Sequence, residues 1–509
     1  MNPPASSIQS GNGQTYRGPF AIMTVLFFLW GFITVLNDIL IPRLQDAFTL
    51  TNYEIMFVQT AFFGAYFIGS LLYFFISATA GDPIARIGYK NGVVIGLLLA
   101  AIGGAMFWPA ASLLSYPLFL GALFVVGLGF AMLQIAANPY VTILGPERTA
   151  SSRLNLAQAF NSLGTTIGPL IGGYLIYQYF AKTGVNGADS VKIPYLAFCI
   201  IFAIIAVIFF FLHLPHVGEG KIEPGIGALK YPHVVLGVLA IFMYVGGEVS
   251  VGSTIIKFLG QPNVASMSAI DASKYVSLFW GGMLIGRFMG AVELSEMKQS
   301  KKQLLLIGIP VLAFLIICFA TGWSLAKAKP EQLSNLSFGN FVGACFSGGF
   351  AVVKMYLPLL ALCWLFFQFG KGLAGRTLFV FSSTIVVLLA IAIIFGGKLA
   401  MWCIVGIGLF TSIGWPNIFS LALDRMGVLK SQVSSLLVMA VVGGAVLPPI
   451  MGKIADNWNR QIAFIIPLIA YAYVAFYGIA GHKIGREKIP ANQYVNPNPD
   501  WKSGSSGIL

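Results

Sequence analysis

Fourteen stretches of this chain, each about 20 residues or longer, are almost wholly apolar. No water inside a bilayer can pair with backbone N–H and C=O groups, so segments of this kind satisfy themselves as helices. The stretches fall near residues 20–43, 53–78, 91–112, 116–144, 152–181, 192–214, 233–258, 271–294, 302–323, 346–368, 375–397, 399–423, 433–452 and 461–481. An all-α integral membrane protein of 14 spans is the expected fold class. Only 9% of the 509 residues are charged and 57% are hydrophobic, whereas soluble domains carry roughly 25% charged residues.

The formal net charge of +13 does not point to nucleic acid, because Lys and Arg lie singly between apolar runs rather than on one basic face. Loop charges of this kind orient helices. With the N-terminus inside, the inner segments hold 18 basic residues and the outer ones 11, with Arg287 inside a span. Both termini are therefore expected in the cytoplasm, and the chain in the cytoplasmic (inner) membrane. Residues 1–19 lack the pattern of a signal peptide, so the first apolar run is expected to stay in the bilayer. Cys199, Cys318, Cys345, Cys363 and Cys403 show no C-x-x-C spacing, and neither a disulfide framework nor a zinc site is indicated.

The expected organisation is a helix bundle over 20–214, a cytoplasmic loop over 215–232, and a second bundle over 233–481 with two inserted helices within 323–398. A cytoplasmic tail over 482–509 follows. The halves echo each other: Gly127-x-Gly129 precedes Gly172 by 45 residues, and Gly406-x-Gly408 precedes Gly452 by 46. Gly64 and Gly69 match Gly281 and Gly286 at the same separation of five. Internal duplication of this sort is common in transporters, although small residues also serve helix packing.

Against this background the polar residues inside spans stand out. An acid at mid-bilayer costs about 2.5 to 3.5 kcal/mol on insertion scales, yet Asn37 and Asp38 interrupt "FFLWGFITVLNDILIP" at 27–42. The alternative is an acid at the interface, since Asp38 lies about 18 residues into its span. Gln134 and Asn138 are four apart and share a face of the fourth span; Gln158 and Asn161 are three apart in the fifth. Such amides fit either a wet cavity or interhelical hydrogen bonds. Glu248, beside Gly246 and Gly247, is the second half's buried acid, either free for function or paired with Arg287. Trp30, Trp280 and Trp415 suit stacking on a sugar ring, or a place at the membrane interface. Signatures of soluble enzymes such as G-x-S-x-G, H-E-x-x-H and the Walker loop are missing, and His213-x-x-His216 has no third ligand in sight. An enzyme is not expected, and no cofactor.

The stretches "FFLWGFITVLNDILIP", "LQIAANPYVTILGPE", "SSRLNLAQAFNSLG" and "LLVMAVVGGAVLPPIMG" resemble those of the fucose:proton symporter family within the major facilitator superfamily, nearest its glucose/galactose transporter branch. The resemblance runs over nearly all of 20–481 except the extra spans. It implies two six-helix bundles with a sugar site between them, working by alternating access. It also implies roles: Asp38 matches an acid of the first helix, Gln134 stands where that family has a second acid, and Gln158 and Asn161 match pocket-lining amides. The superfamily pattern G-x-x-x-D-R-x-G-R-K reads here as Gly81-Asp82-Pro83-Ile84-Ala85-Arg86-Ile87-Gly88-Tyr89-Lys90. Ala85 occupies the place of its acid, which removes a partner from the inner latch.

The resulting expectation is a secondary active importer of glucose or galactose, monomeric, coupled to a cation. Sodium, a hard ion that prefers oxygen ligands, would sit at Asp38 with oxygens of Asn37, Gln158, Asn161 or Ser162; a proton on Asp38 is the alternative. Gln134, Asn138, Gln158, Asn161, Glu248, Asn417 and the indoles of Trp30, Trp280 and Trp415 would meet the sugar, which needs many hydrogen bonds but no charge. A carrier of fucose or another small solute, proton-coupled or uncoupled, is the nearer rival. A sugar-sensing receptor or membrane enzyme is the further one.

Overall fold

The computed structural model describes residues 16–48, 52–174, 192–212, 225–327 and 338–485, except for some side chains within helices, among them those of 33–48 and 52–56. Eighteen α-helices lie in these segments. In chain order they are α1 (Arg17–Phe48), α2 (Asn52–Ala80), α3 (Pro83–Ser112), α4 (Tyr116–Ile143), α5 (Ala150–Tyr174), α6 (Lys192–Phe211), α7 (Pro232–Leu259), α8 (Ala269–Glu293) and α9 (Gln299–Lys327). They continue with α10 (Phe338–Val353), α11 (Tyr356–Gly370), α12 (Ala374–Ile394), α13 (Gly397–Thr411), α14 (Gly414–Leu423), α15 (Lys430–Met439), α16 (Gly443–Asn457), α17 (Arg460–Ala463) and α18 (Ile465–Ile479).

Among the described residues ten helices or joined pairs are long and apolar enough to cross a bilayer, with α13–α14, α15–α16 and α17–α18 each counting once. An eleventh is the pair α10–α11, bent by 71°. The tally is of the described residues alone and stands below the 14 expected. The described apolar parts of α1 (Arg17–Phe32) and α6 (Tyr195–Phe211) are short. The helix α5 carries Ser151, Ser152, Arg153, Asn155, Gln158 and Asn161, which lowers its hydropathy. Exposed apolar side chains such as Phe75 on α2, Phe211 on α6, Leu304 on α9 and Ile394 on α12 form surfaces suited to lipid rather than water.

The chain divides into two compact units. The first takes in Met1–Val245, Ile418–Ala445 and Ala480–Leu509; the second takes in Gly246–Asn417 and Val446–Ile479. Within the first unit α1 lies against α5, α3 lies against α4 and α6, and α2 lies against α4. Small residues set these approaches: at Gly31 the α1 backbone meets the Asn161 carbonyl, and at Gly164 the α5 backbone meets the Phe28 carbonyl, leaving no room for a side chain at either. Phe107 and Tyr195 stack at 3.5 Å between centroids and tie α3 to α6. The segment with α15 packs onto α2 and α4 of the same unit.

Within the second unit α8 lies against α13, α9 against α10, and α12 against α18. The echoed glycines do not meet matching neighbours: Gly127 faces Ala65 whereas Gly406 faces Leu359, and Gly129 faces Ala100 whereas Gly408 faces Phe279. In the first unit Gly69 of α2 faces Leu128 and Gly127 of α4 faces Ala65; in the second, Gly286 of α8 faces Ser412 and Leu409, and Gly408 of α13 faces Phe279. In each unit one helix pair, α2–α4 and α8–α13, carries glycine on both partners.

Candidate functional site

The polar residues singled out in the sequence fall into two sets, one in each unit. In the first unit α4 supplies Gln134 and Asn138, α5 supplies Gln158, Asn161 and Ser162, and α1 supplies Trp30. Asn138 is fully buried, and Gln158 and Ser162 nearly so. Gln158 Nε2 donates to Asn138 Oδ1 at 3.5 Å, joining α5 to α4. That leaves Asn138 Nδ2 buried with no partner among the described residues, and Gln134 Oε1 is in the same position. A buried amide atom without a partner costs about 1 to 3 kcal/mol, so two of them one helical turn apart mark a place where a ligand's polar groups would be welcome.

Not every amide is aimed at a ligand. Asn161 Nδ2 donates to the Phe27 carbonyl at 3.0 Å, next to the close approach at Gly31, so this group holds α5 to α1. Trp30 is buried in an aromatic cluster, with Phe27 at 5.4 Å and Phe130 at 6.2 Å between ring centroids. Tyr66 of α2, absent from the sequence reading, brings its hydroxyl to the side chains of Trp30 and Gln134. Its ring is buried against Phe62 at 5.2 Å. Its only signal in the sequence is a hydroxyl within an apolar run, which tyrosine supplies in many spans. Asn37 and Asp38 lie on the helical backbone of α1, and their side chains are outside the described residues, as are His213 and His216.

In the second unit Asn417 is fully buried on α14, and its Nδ2 donates to the Ala374 carbonyl at 3.3 Å, at the start of α12. The guanidinium of Arg287, buried on α8, donates through Nε to the Ser412 carbonyl at 3.2 Å. Trp415 is buried, whereas Trp280 is 44% exposed beside Gly252. Glu248 is half-buried on α7, beside Gly247, which faces Tyr471. The two sets therefore offer different chemistry: amides in the first, aromatic faces and one carboxylate in the second.

A second polar cluster in the first unit lies where α2 turns into α3. Asp82 caps the N-terminus of α3, accepting from the Ile84 amide at 2.9 Å and from the Tyr73 hydroxyl at 2.5 Å. Ser431, in the first turn of α15, also reaches this carboxylate and lies 3.4 Å from the Tyr89 hydroxyl. Burial is the main influence on Asp82 and pushes its carboxyl above the ordinary range. The acid absent at Ala85 thus has a neighbour, three residues earlier, in contact with α15. One turn away, Glu147 Oε1 accepts from the Arg425 amide at 3.2 Å and lies 3.8 Å from Lys430 Nζ. Ser151 and Ser420 meet at 2.6 Å. Arg153, near the start of α5, is buried. Its guanidinium donates to the carbonyls of Val141 and Gly145 at 3.1 Å, closing the C-terminal turn of α4.

Comparison with known proteins agrees with this architecture. The sequence profile described as Major Facilitator Superfamily matches residues 20–363. A glucose/galactose transporter of Brucella abortus (strain 9-941) is 41% identical over 482 residues, covering 93% of this chain and 97% of its own. The L-fucose-proton symporter of Escherichia coli (strain K12) is 28% identical over 494 residues, covering 92% and 94%. The crystal structure of the transporter FucP in the outward conformation superposes with a TM-score of 0.68 at 27% identity, over 91% of this chain and 99% of that one. The chain therefore belongs to the Major Facilitator Superfamily, on the branch shared by the glucose/galactose transporters and the fucose:proton symporters.

Proposed function

We propose that this protein is a monomeric secondary transporter that imports a hexose, glucose or galactose, across the cytoplasmic membrane by alternating access. The carrying observation is the buried amide cluster of α4 and α5, with Gln134 Oε1 and Asn138 Nδ2 left without partners. Uncharged groups of both polarities suit a neutral polyol, and a lipid carrier would be lined more apolarly. The names of the relatives point the same way. In this reading Gln134, Asn138 and Gln158 of the first unit meet the sugar, and Trp280, Trp415 and Glu248 are kept as candidates on the sequence alone. Asn161 and Asn417, both engaged with backbone carbonyls, serve mainly to hold their helices.

Coupling is assigned to Asp38, an acid kept in hydrocarbon because a cation neutralises it in each cycle. Two ions fit. The proton is favoured by the fucose symporters, which are named for it; sodium rests only on the oxygen donors of Asn37, Asp38 and Ser162. Fourteen spans, with eight in the second half and both termini inside, remain our reading of the topology. The test is uptake of radiolabelled glucose and galactose into liposomes holding the purified protein, with proton and sodium gradients imposed one at a time. Accumulation driven by one gradient identifies the ion. Uptake indifferent to both rejects coupling, and no uptake of either hexose rejects the substrate.

A further inference from the structure

Two turns of the second unit meet at one contact. Lys302, in the first turn of α9, donates from Nζ to the Glu293 carbonyl at the end of α8 at 2.7 Å, and its ammonium lies beside Gly372 in the turn from α11 to α12. Gln303 of α9 and Gln368 of α11 exchange amide hydrogen bonds at 2.7 and 3.2 Å, which hold the two turns side by side. Around this contact stand Lys298 and Lys301 on one side and Lys371 and Arg376 on the other. All four are exposed, and their charged groups have no hydrogen bond or ion pair among the described residues. Of the two acids nearby, Glu293 is buried and accepts from the Gly372 amide, and Glu296 lies in the turn from α8 to α9. The balance at this corner is therefore positive. In the first unit, by contrast, Arg153 is spent on the carbonyls that end α4, Lys430 faces Glu147, and Lys90 lies over the Phe210 ring at 5.9 Å. Orienting a helix requires charge on one side of the membrane, not a gathering of free cations around one contact.

We propose that this corner binds the headgroup of an anionic phospholipid: Lys298, Lys301, Lys371 and Arg376 take its phosphate oxygens, and Leu304, Phe369 and Leu373 lie against its acyl chains. The apolar flank commits the surface to a lipid rather than to a soluble anion. Leu304 follows Lys301 by one helical turn, so a cation and an apolar side chain share one face of α9; Phe369 and Leu373 bracket Lys371 in the same way. All three apolar side chains are exposed. A lipid presents its charge and its hydrocarbon in that order, and basic pockets between spanning helices on the cytoplasmic side suit anionic headgroups. The cytoplasmic leaflet follows from the topology proposed above, whereas the binding chemistry does not depend on it.

The test offers the full-length protein, in a non-ionic detergent, equal amounts of phosphatidylglycerol and phosphatidylcholine, and counts the retained lipid by native mass spectrometry. Phosphatidylglycerol should be retained over phosphatidylcholine by about tenfold or more. The triple variant Lys298→Gln, Lys301→Gln, Lys371→Gln should bring that preference to within about twofold. A control triple variant, Lys257→Gln, Lys398→Gln, Lys453→Gln, removes the same charge from exposed sites of the same unit and should keep the preference. Equal loss in both variants, or loss in neither, would overturn the inference, because the preference would then belong to net charge or to another surface. Displacement of phosphatidylglycerol by a roughly tenfold excess of inorganic phosphate would also overturn it, since the surface would then take a soluble anion without a lipid. The wild-type arm needs no variant to fold: a wild type that holds phosphatidylcholine as readily as phosphatidylglycerol overturns the inference by itself.

Discussion

At the residue scale the decisive contrast is between an amide that joins the polar cluster of α4 and an amide that ties one helix to another. Gln158 spends its Nε2 on Asn138; Asn161 spends its Nδ2 on the backbone of α1. Replacing the first should damage recognition more than stability, and replacing the second should do the reverse. Gln158→Leu is expected to raise the KM for hexose by about tenfold, because it also frees Asn138 Oδ1 to compete for the ligand's place. Asn161→Ala is expected to lower the Tm in detergent by several degrees with a smaller effect on KM. A KM series with matched thermal melts separates the two. Asp82 yields a prediction in pH. Its carboxyl is pushed up by burial, so the folded chain holds that proton more tightly than the unfolded chain. The associated stability is therefore present at acid pH and declines as pH rises from the ordinary carboxylate range through the raised value. Asp82→Asn should remove that decline, so that melts at pH 5 and pH 7 differ less than in the wild type.

At the element scale, close approach between helices governs the fold. The α1–α5 pair meets at Gly31 and Gly164 with backbone carbonyls where side chains would otherwise be. Gly164→Leu should therefore prevent the pair from forming, giving protein that elutes aggregated in size-exclusion chromatography, whereas a substitution at Gly121, with open space around it, should elute normally. Much of this level was legible in the sequence, because bilayer length and apolarity are local properties: the six helices of the first half appear where expected. Three things were less legible. The bend of 71° between α10 and α11 falls at Lys354 and Met355, where the lysine interrupts the apolar run but does not encode an angle. The packing of α15 on α2 and α4 joins residues some 350 positions apart, as with Gln432 and Ser77, and no local pattern encodes that. The polar length of α5 reads as a span only if its amides are taken to face inward.

At the scale of the whole molecule, transport requires that some contacts hold in one state and release in another. In the first unit one residue concentrates such contacts. Gln432 of α15 is buried, donates to the Gly225 carbonyl at 2.9 Å and to Ser77 Oγ at 3.4 Å, and accepts from the Ala228 amide at 2.9 Å. It therefore pins the short 3-10 turn before α7 to both α15 and α2. Gln432→Ala should free that segment, raising its rate of limited proteolysis by about tenfold, as expected for losing a net hydrogen bond or two. Unchanged cleavage would show that neighbouring groups hold the segment without it.

Entrance counterflow of labelled glucose into liposomes loaded with unlabelled hexose is the most direct check on the central claim, since it needs a sugar site that faces each side in turn but no ion gradient. The wild type is expected to show a transient overshoot, retained by Asp38→Asn and lost on Asn138→Leu. A wild type without overshoot, or an Asn138→Leu variant that matches it, would contradict the assignment of hexose transport to the buried amides of α4 and α5.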